Sequence, residues 1–239
     1  MADNRIGELV HEIRATLEQV SGVTLPPLPP PATEEEIDNA EATLGFPLPR
    51  DLRNLYRATR GSKDKDGTAI IGYIELTDIS YLVGTTTGLV EEVEEFQSML
   101  EWTEGDFRGE IPQGSLICFA TEPNEGTFVE ATGPLAPRVI SYNMHPGSNY
   151  AWIRLGDNLE RYCDWVLAAA KLGGITLARS PAGRVSAETM QADRSEDIPR
   201  LRALLEPLKP SLDAAGATPG AFVNPDPIII ARYGFDDLF

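Results

Sequence analysis

The chain has 239 residues, 42% of them hydrophobic, enough to bury a full core as one main domain with extensions. Its 37 acids against 20 bases leave a formal charge of −17, which argues against nucleic acid as a partner and fits either a basic macromolecule steered in by the field or simple solubility. No apolar run approaches the ~18 residues of a membrane span and the N-terminus has no basic-then-apolar leader, so a soluble cytoplasmic protein without a membrane partner is expected.

In chain order, Ile6, Leu9, Val10, Ile13, Leu17 and Val20 recur at helical spacing before the stop Ser21-Gly22. Residues 24–32, T-L-P-P-L-P-P-P-A, favour polyproline II geometry; their PxxP also fits an SH3-type ligand, but a stiff spacer laid on the domain is the preferred reading. Thr33 and Glu36 make a capping box for a helix whose inner face is Ile37, Ala40 and Leu44. Gly45 ends that helix in a left-handed conformation, and Pro47 forbids its continuation. Pro49 suits the first turn of a second helix with Leu52, Leu55, Tyr56 and Thr59 inward, closed by Gly61. Residues 44–52 therefore read as a rigid corner with Leu48 as its wedge.

Beyond the charged turn at 62–67 the pattern becomes β-rich. Strands are expected over Ala69–Leu76, Ser115–Ala120, Thr127–Ala131, Val139–Tyr142 and Tyr150–Leu155, with hairpin-length gaps that imply an antiparallel sheet. A helix is predicted over 88–102, with Leu89, Val93, Phe96 and Leu100 inward, and another over Asn158–Leu172. Residues 179–195 read as an exposed loop, 199–208 as a helix, and Ile228–Ile230 and Phe235–Phe239 as apolar segments that dock on the domain. The fold class is α+β: an antiparallel sheet of about five to six strands flanked by helices. The organisation is a leading helix and Pro-rich spacer (1–31), a domain (32–172) and a C-terminal extension (173–239) packing on it.

Catalytic constellations are absent from the sequence. His11 and His145 are the two histidines, and no HExxH, Walker loop, GxGxxG or GxSxG occurs. Cys118 with Asn143 and His145 can be drawn as a thiol-protease trio, but an apolar strand does not activate a thiol. Cys118 and Cys163 form no CxxC and read as reduced core thiols. Asp64 and Asp66 resemble half a calcium loop that lacks its bidentate glutamate, so neither metal nor cofactor is expected.

The spacing Thr33-x3-Ile37-x3-Glu41-x2-Leu44-Gly45-x2-Leu48-Pro49-x2-Leu52-x2-Leu55-Tyr56-x4-Gly61 resembles the opening motif of the SUKH superfamily, which includes yeast cell-wall-assembly regulators and bacterial toxin-immunity proteins. Ile117–Ala120 with Thr127–Val129 is similar to the family's central hairpin. Trp152-x2-Leu155-Gly156-x2-Leu159-x2-Tyr162 is similar to its closing strand and helix. The second helix ends Thr59-Arg60-Gly61, where members commonly carry Asn before the glycine. The resemblance implies an α+β fold with no family-wide catalytic residues, hence a binding protein rather than an enzyme.

Two functions follow from that resemblance: an immunity protein that neutralises a basic toxin domain, a nuclease foremost, and a regulatory or scaffold module of wall assembly or signalling. For the first, the contacts expected are Glu91, Glu92, Glu94, Glu95, Trp102, Glu104 and Asp106, joined by Glu122 and Glu125 in a neighbouring turn, because residues 91–110 hold eight acids and one base. Tyr73, Tyr81, Trp102 and Phe107 are the candidate aromatic anchors. For the second, the leading helix, stiff spacer and apolar tail are the docking equipment. The oligomeric state is left open.

Overall fold

Helices α1 (Arg5–Ser21), α2 (Glu34–Leu44) and α3 (Arg50–Ala58) come first, then a short hairpin, β1 (Ile70–Ile71) and β2 (Ile74–Glu75), and helix α4 (Ile79–Met99). Strands β3 (Leu116–Glu122), β4 (Glu125–Glu130), β5 (Val139–Asn143) and β6 (Trp152–Gly156) follow, then helix α5 (Leu159–Lys171) and the hairpin β7 (Ile175–Arg179) and β8 (Val185–Thr189). The computed structural model describes residues 5–63, 68–72, 74–99, 112, 114–122, 125–134, 136–143, 152–171, 173 and 175–189; of these, 95–99, 122, 125, 143, 152–154, 165, 188 and 189 are described by backbone alone.

The corner between α2 and α3 forms through local chemistry. Thr33 Oγ1 accepts from the Glu36 amide while Glu36 accepts from the Thr33 amide, closing the capping box, and Gly45 sits at φ 81°, left-handed, to end α2. Glu41 holds the turn: its carboxylate accepts from the Leu48 amide at 2.9 Å and from Arg53 at 2.8 Å. Leu48 is buried in the angle, as the spacing requires. Pro49 stands immediately before α3, at φ −51° and ψ 143°, rather than within its first turn. Gly61 is obligatory: at φ +92° a Cβ would lie 2.3 Å from the Thr77 carbonyl oxygen.

The main sheet is an antiparallel meander in the order β3-β4-β5-β6, and period-two alternation gives it two covered faces. Ile117, Val129 and Val139 point into the larger core with the helices, whereas Cys118, Phe128, Ile140 and Tyr142 form a second apolar cluster with Val93 of α4. Helix α4 joins the two clusters: Ile79 and Leu82 belong to the first, Leu89, Val90 and Val93 to the second. The strands expected as one sheet are distributed differently. The Ala69–Leu76 run folds as the β1/β2 hairpin, tied to β3 by an isolated bridge between Leu76 and Ala120.

The leading helix belongs to this core. Leu9, Val10, Ile13 and Leu17 are fully buried, α1 packs on α5, α3 and β7, and Val20 alone of its expected stripe stays half exposed. Arg14, also buried, donates to the carbonyls of Thr68, Ile70 and Pro26, so one guanidinium ties α1, the proline spacer and the first hairpin together. Burial lowers its pKa, with Glu18 and Glu75 opposing that. The spacer lies on the domain as expected: Leu25 is buried, Arg60 N donates to Pro30 O at 2.8 Å, and Ala32 N donates to Tyr56 O at 2.9 Å.

Two predicted boundaries are corrected. The helix expected from 88 begins at Ile79, because Asp78 accepts from the Ser80 amide and hydroxyl at 2.9 and 2.6 Å and so satisfies its first turn. The loop expected over 179–195 contains the β7/β8 turn and strand β8, since Ser21 Oγ accepts from the Leu177 amide and Arg179 donates to Thr24 O. The predicted helix over 199–208 and the docking segments 228–230 and 235–239 lie outside the described residues.

Candidate functional site

Two acidic helices lie near one another, and their carboxylates have different uses. On α2, Glu34 pairs with Arg57 at 2.6 Å and Arg53 at 3.2 Å, Asp38 with Arg53 at 2.5 Å, Glu41 with Arg53, and Glu36 with Arg60 at 2.9 Å. The Arg57 and Arg53 guanidiniums hold the Glu34 carboxyl down at about 2, and Thr33 holds Glu36 below the usual carboxylate range. Arg60 reaches on to Asp78 at 2.8 Å; burial pushes that carboxyl up, but Arg60 and Ser80 more than offset it and the net shift is downward. These acids stitch the corner to the start of α4.

On α4 the described glutamates, Glu91, Glu92 and Glu94, have no such use. Lys65 and Arg108 bound a run, residues 66–107, without a single lysine or arginine. Glu91, Glu92 and Glu94 are exposed, and among the described residues none of the ion pairs involves them. Glu91 and Glu94 are neighbours at i,i+3, a like-charged pair that disfavours the helix by a few tenths of a kcal/mol. Their solvated arrangement therefore opposes the stability of α4 slightly.

Packing places this acidic half of α4 beside the β3/β4 turn. Thr86 Oγ1 accepts from the Cys118 amide at 3.1 Å, and the Leu89 side chain lies so close to Gly126 that a Cβ there would meet it at 2.4 Å. Progress from Thr86 to Leu89 thus follows β3 toward its end, where Glu122 and Glu125 are paired across the turn. Of the expected contact residues, Glu91, Glu92 and Glu94 follow Leu89 along α4, and Glu125 directly precedes the Gly126 that Leu89 approaches. The Glu95, Glu122 and Glu125 side chains, and all of Trp102, Glu104 and Asp106, lie outside the described residues. So do Tyr73 and Phe107, whereas Tyr81 is 52% exposed on α4, at i,i+11 from Glu92.

A groove of about 310 Å³ lies between α2 and α4, with Ala40, Ile79 and Val83 as its apolar part and Asn39, Thr43 and Ser80 as its polar part; Glu36 reaches it from the first turn of α2. Sequence patterning misses this feature, because Ser80 and Val83 join a helix only in the folded chain.

The other described candidates for chemistry fall away on their surroundings, while Asp64, Asp66, His145 and the Asn143 side chain lie outside the described residues. His11 is exposed on α1. Cys118 is buried with its thiol donating to Ala120 O, and burial raises the Cys163 thiol well above its ordinary range, the opposite of an activated nucleophile. Among the described residues no group of three metal-ligating side chains converges and no helix is long and apolar enough to cross a membrane.

The carboxylate network around Arg60 has a pH signature. A carboxyl whose pKa is depressed on folding contributes stability that is complete above its unfolded pKa, near 4, and is lost as pH falls through the folded value. Glu36 and Asp78 both shift downward, so the stability gap between the wild type and Arg60→Met is expected to be full at neutral pH and to close below about pH 4. Parallel thermal melts check this; a gap that widens in acid would contradict the pairing.

The helical corner, helix α4 and the four-stranded antiparallel meander together make an α+β module. The family model for the SMI1 / KNR4 family (SUKH-1) matches residues 31–165, more than half of the chain, and the chain belongs to that family. This family is in general one of non-catalytic immunity or regulatory proteins. No curated protein matches the chain. The matched residues take structural roles here: Thr33 caps, Glu41 anchors the turn, Gly45 and Gly61 take positive φ, and Leu48, Leu52, Leu55 and Tyr56 are buried. Ile37, Leu155 and Leu159 are core, Leu44 is half-buried against it, and Gly156 is buried where β6 meets α5; Trp152 is described by backbone alone.

Proposed function

We propose that the protein is a non-catalytic immunity protein that neutralises a basic toxin domain of nuclease type, gripping it with the α4 surface. The contrast between the two acidic helices carries this reading: α2's carboxylates are largely engaged in the fold, while Glu91, Glu92 and Glu94 face solvent on a helix without a base. A nuclease must present cations to a polyanion, and an acidic surface that competes for them blocks substrate access. Exposed ion pairs contribute only ~0–1 kcal/mol each, so the charge acts chiefly on encounter rate, and affinity requires an aromatic anchor. Tyr81, half exposed on the same helix, is the residue assigned that part.

The regulatory alternative draws on the leading helix as docking equipment, but the apolar stripe of α1 is largely buried in the core. The immunity reading is therefore preferred. It expects a neighbouring gene for a large secreted protein with a variable, basic C-terminal domain. Titration of that domain tests it: Glu91→Lys with Glu94→Lys is expected to weaken binding about tenfold at low salt. Unchanged affinity would remove α4 as the contact surface.

A further inference from the structure

The groove between α2 and α4 takes no part in the fold's ion pairs, apart from Glu36 at one end, and the proposed function leaves it without a use. Its floor, formed by Ala40, Ile79 and Val83, suits the methylene stem of a long side chain, while Asn39, Thr43 and Ser80 supply polar groups above it. Among the described residues, the charge around it that is not engaged in an ion pair is negative. Arg60, the nearby cation, is held by Glu36 and Asp78 together, and Glu35 is exposed one position outside the groove with none of the ion pairs among the described residues. Along α4, Ser80, Gly84, Thr87, Glu91 and Glu94 share one stripe at i, i+4, i+7, i+11 and i+14. A Cβ on Gly84 would meet nothing within 4 Å, so the stripe is open where it leaves the groove. From Ser80 to Glu94 it measures about 21 Å, the reach of roughly seven extended residues.

Building on the basic-partner reading, we infer that this groove and the stripe leading from it hold an extended, arginine-bearing segment of the partner: one cationic side chain enters between α2 and α4, and later ones in alternation meet Glu91 and Glu94. Extended chain repeats its side chains every second residue, so alternate arginines present one cationic edge to the stripe. Arginine suits the position better than lysine because its guanidinium is more weakly hydrated and bonds several acceptors in one plane.

The test is amide NMR of the full chain with a capped peptide of about seven residues alternating arginine and alanine, against a control with glutamine for arginine. Saturable shifts at Asn39, Thr43, Val83, Gly84 and Glu91, absent with the control, are expected. Thr43→Trp fills the groove from an exposed position and Asn39→Arg reverses its charge preference; each is expected to weaken the peptide about tenfold while the melting curve is kept. Shifts spread over every acidic face, or indifferent to both substitutions, overturn the groove while leaving a basic partner standing. A peptide that binds nowhere while the toxin domain still binds does the same. Failure of both the peptide and the toxin domain takes the proposed function down with it.

Discussion

A chain lacking residues 1–21 is expected to lose its cooperative unfolding transition, although the family match begins at residue 31. Ile6, Leu9, Val10, Ile13 and Leu17 are 2% exposed or less, and each such side chain contributes about 1.5–3 kcal/mol on burial. Their loss amounts to roughly 7–15 kcal/mol, comparable with the whole stability of an ordinary domain at ~5–15 kcal/mol. Removing α1 also uncovers its partners on α5 and deletes the Arg14 tie to Pro26, Thr68 and Ile70. Circular dichroism and a denaturant titration check this; a truncated chain that melts cooperatively near the intact midpoint would make α1 an accessory.

The second large effect concerns charge inside the sheet. Glu130 of β4 and Arg138, just before β5, are almost fully buried and bonded to each other, and Glu130 also accepts from the Gly114 amide at 2.9 Å. Removing one member takes from a buried charge this close opposite charge, so Arg138→Met is expected to destabilise by about 3–5 kcal/mol, a fall in melting temperature on the order of 10 °C. Replacing Glu130 by Leu in that background is expected to recover much of the loss, because an apolar pair needs no desolvation of charge. Recovery stops short of complete, since Gly114 loses its acceptor. A single substitution that costs no more than a surface change would show that the pair is solvated.

The corner was legible in the sequence because its determinants are local. A capping box, a left-handed glycine and helical spacing of Leu52, Leu55 and Tyr56 act within a turn or two, and all appear where the pattern puts them. The start of α4 was not legible. Gly84-Thr85-Thr86-Thr87-Gly88 has poor helix propensity, and it is overridden by tertiary terms: burial of Ile79 and Leu82, and the bond from the Cys118 amide to Thr86. Strand β8 escaped for a similar reason, being built on β7, which α1 positions through Ser21. For the candidate site, charge density pointed to Glu91, Glu92 and Glu94 directly. The groove arises from α2 lying against α4, a long-range contact that periodicity cannot report.

The proposed binding through an acidic surface implies a particular salt dependence, and the association rate of the proposed basic toxin partner between about 50 and 300 mM NaCl reads it directly. The expected result is a steep fall in rate with salt for the wild type, and a slower, flatter profile for Glu91→Lys with Glu94→Lys. An association rate indifferent to salt and to that double substitution would contradict a charge-steered immunity protein.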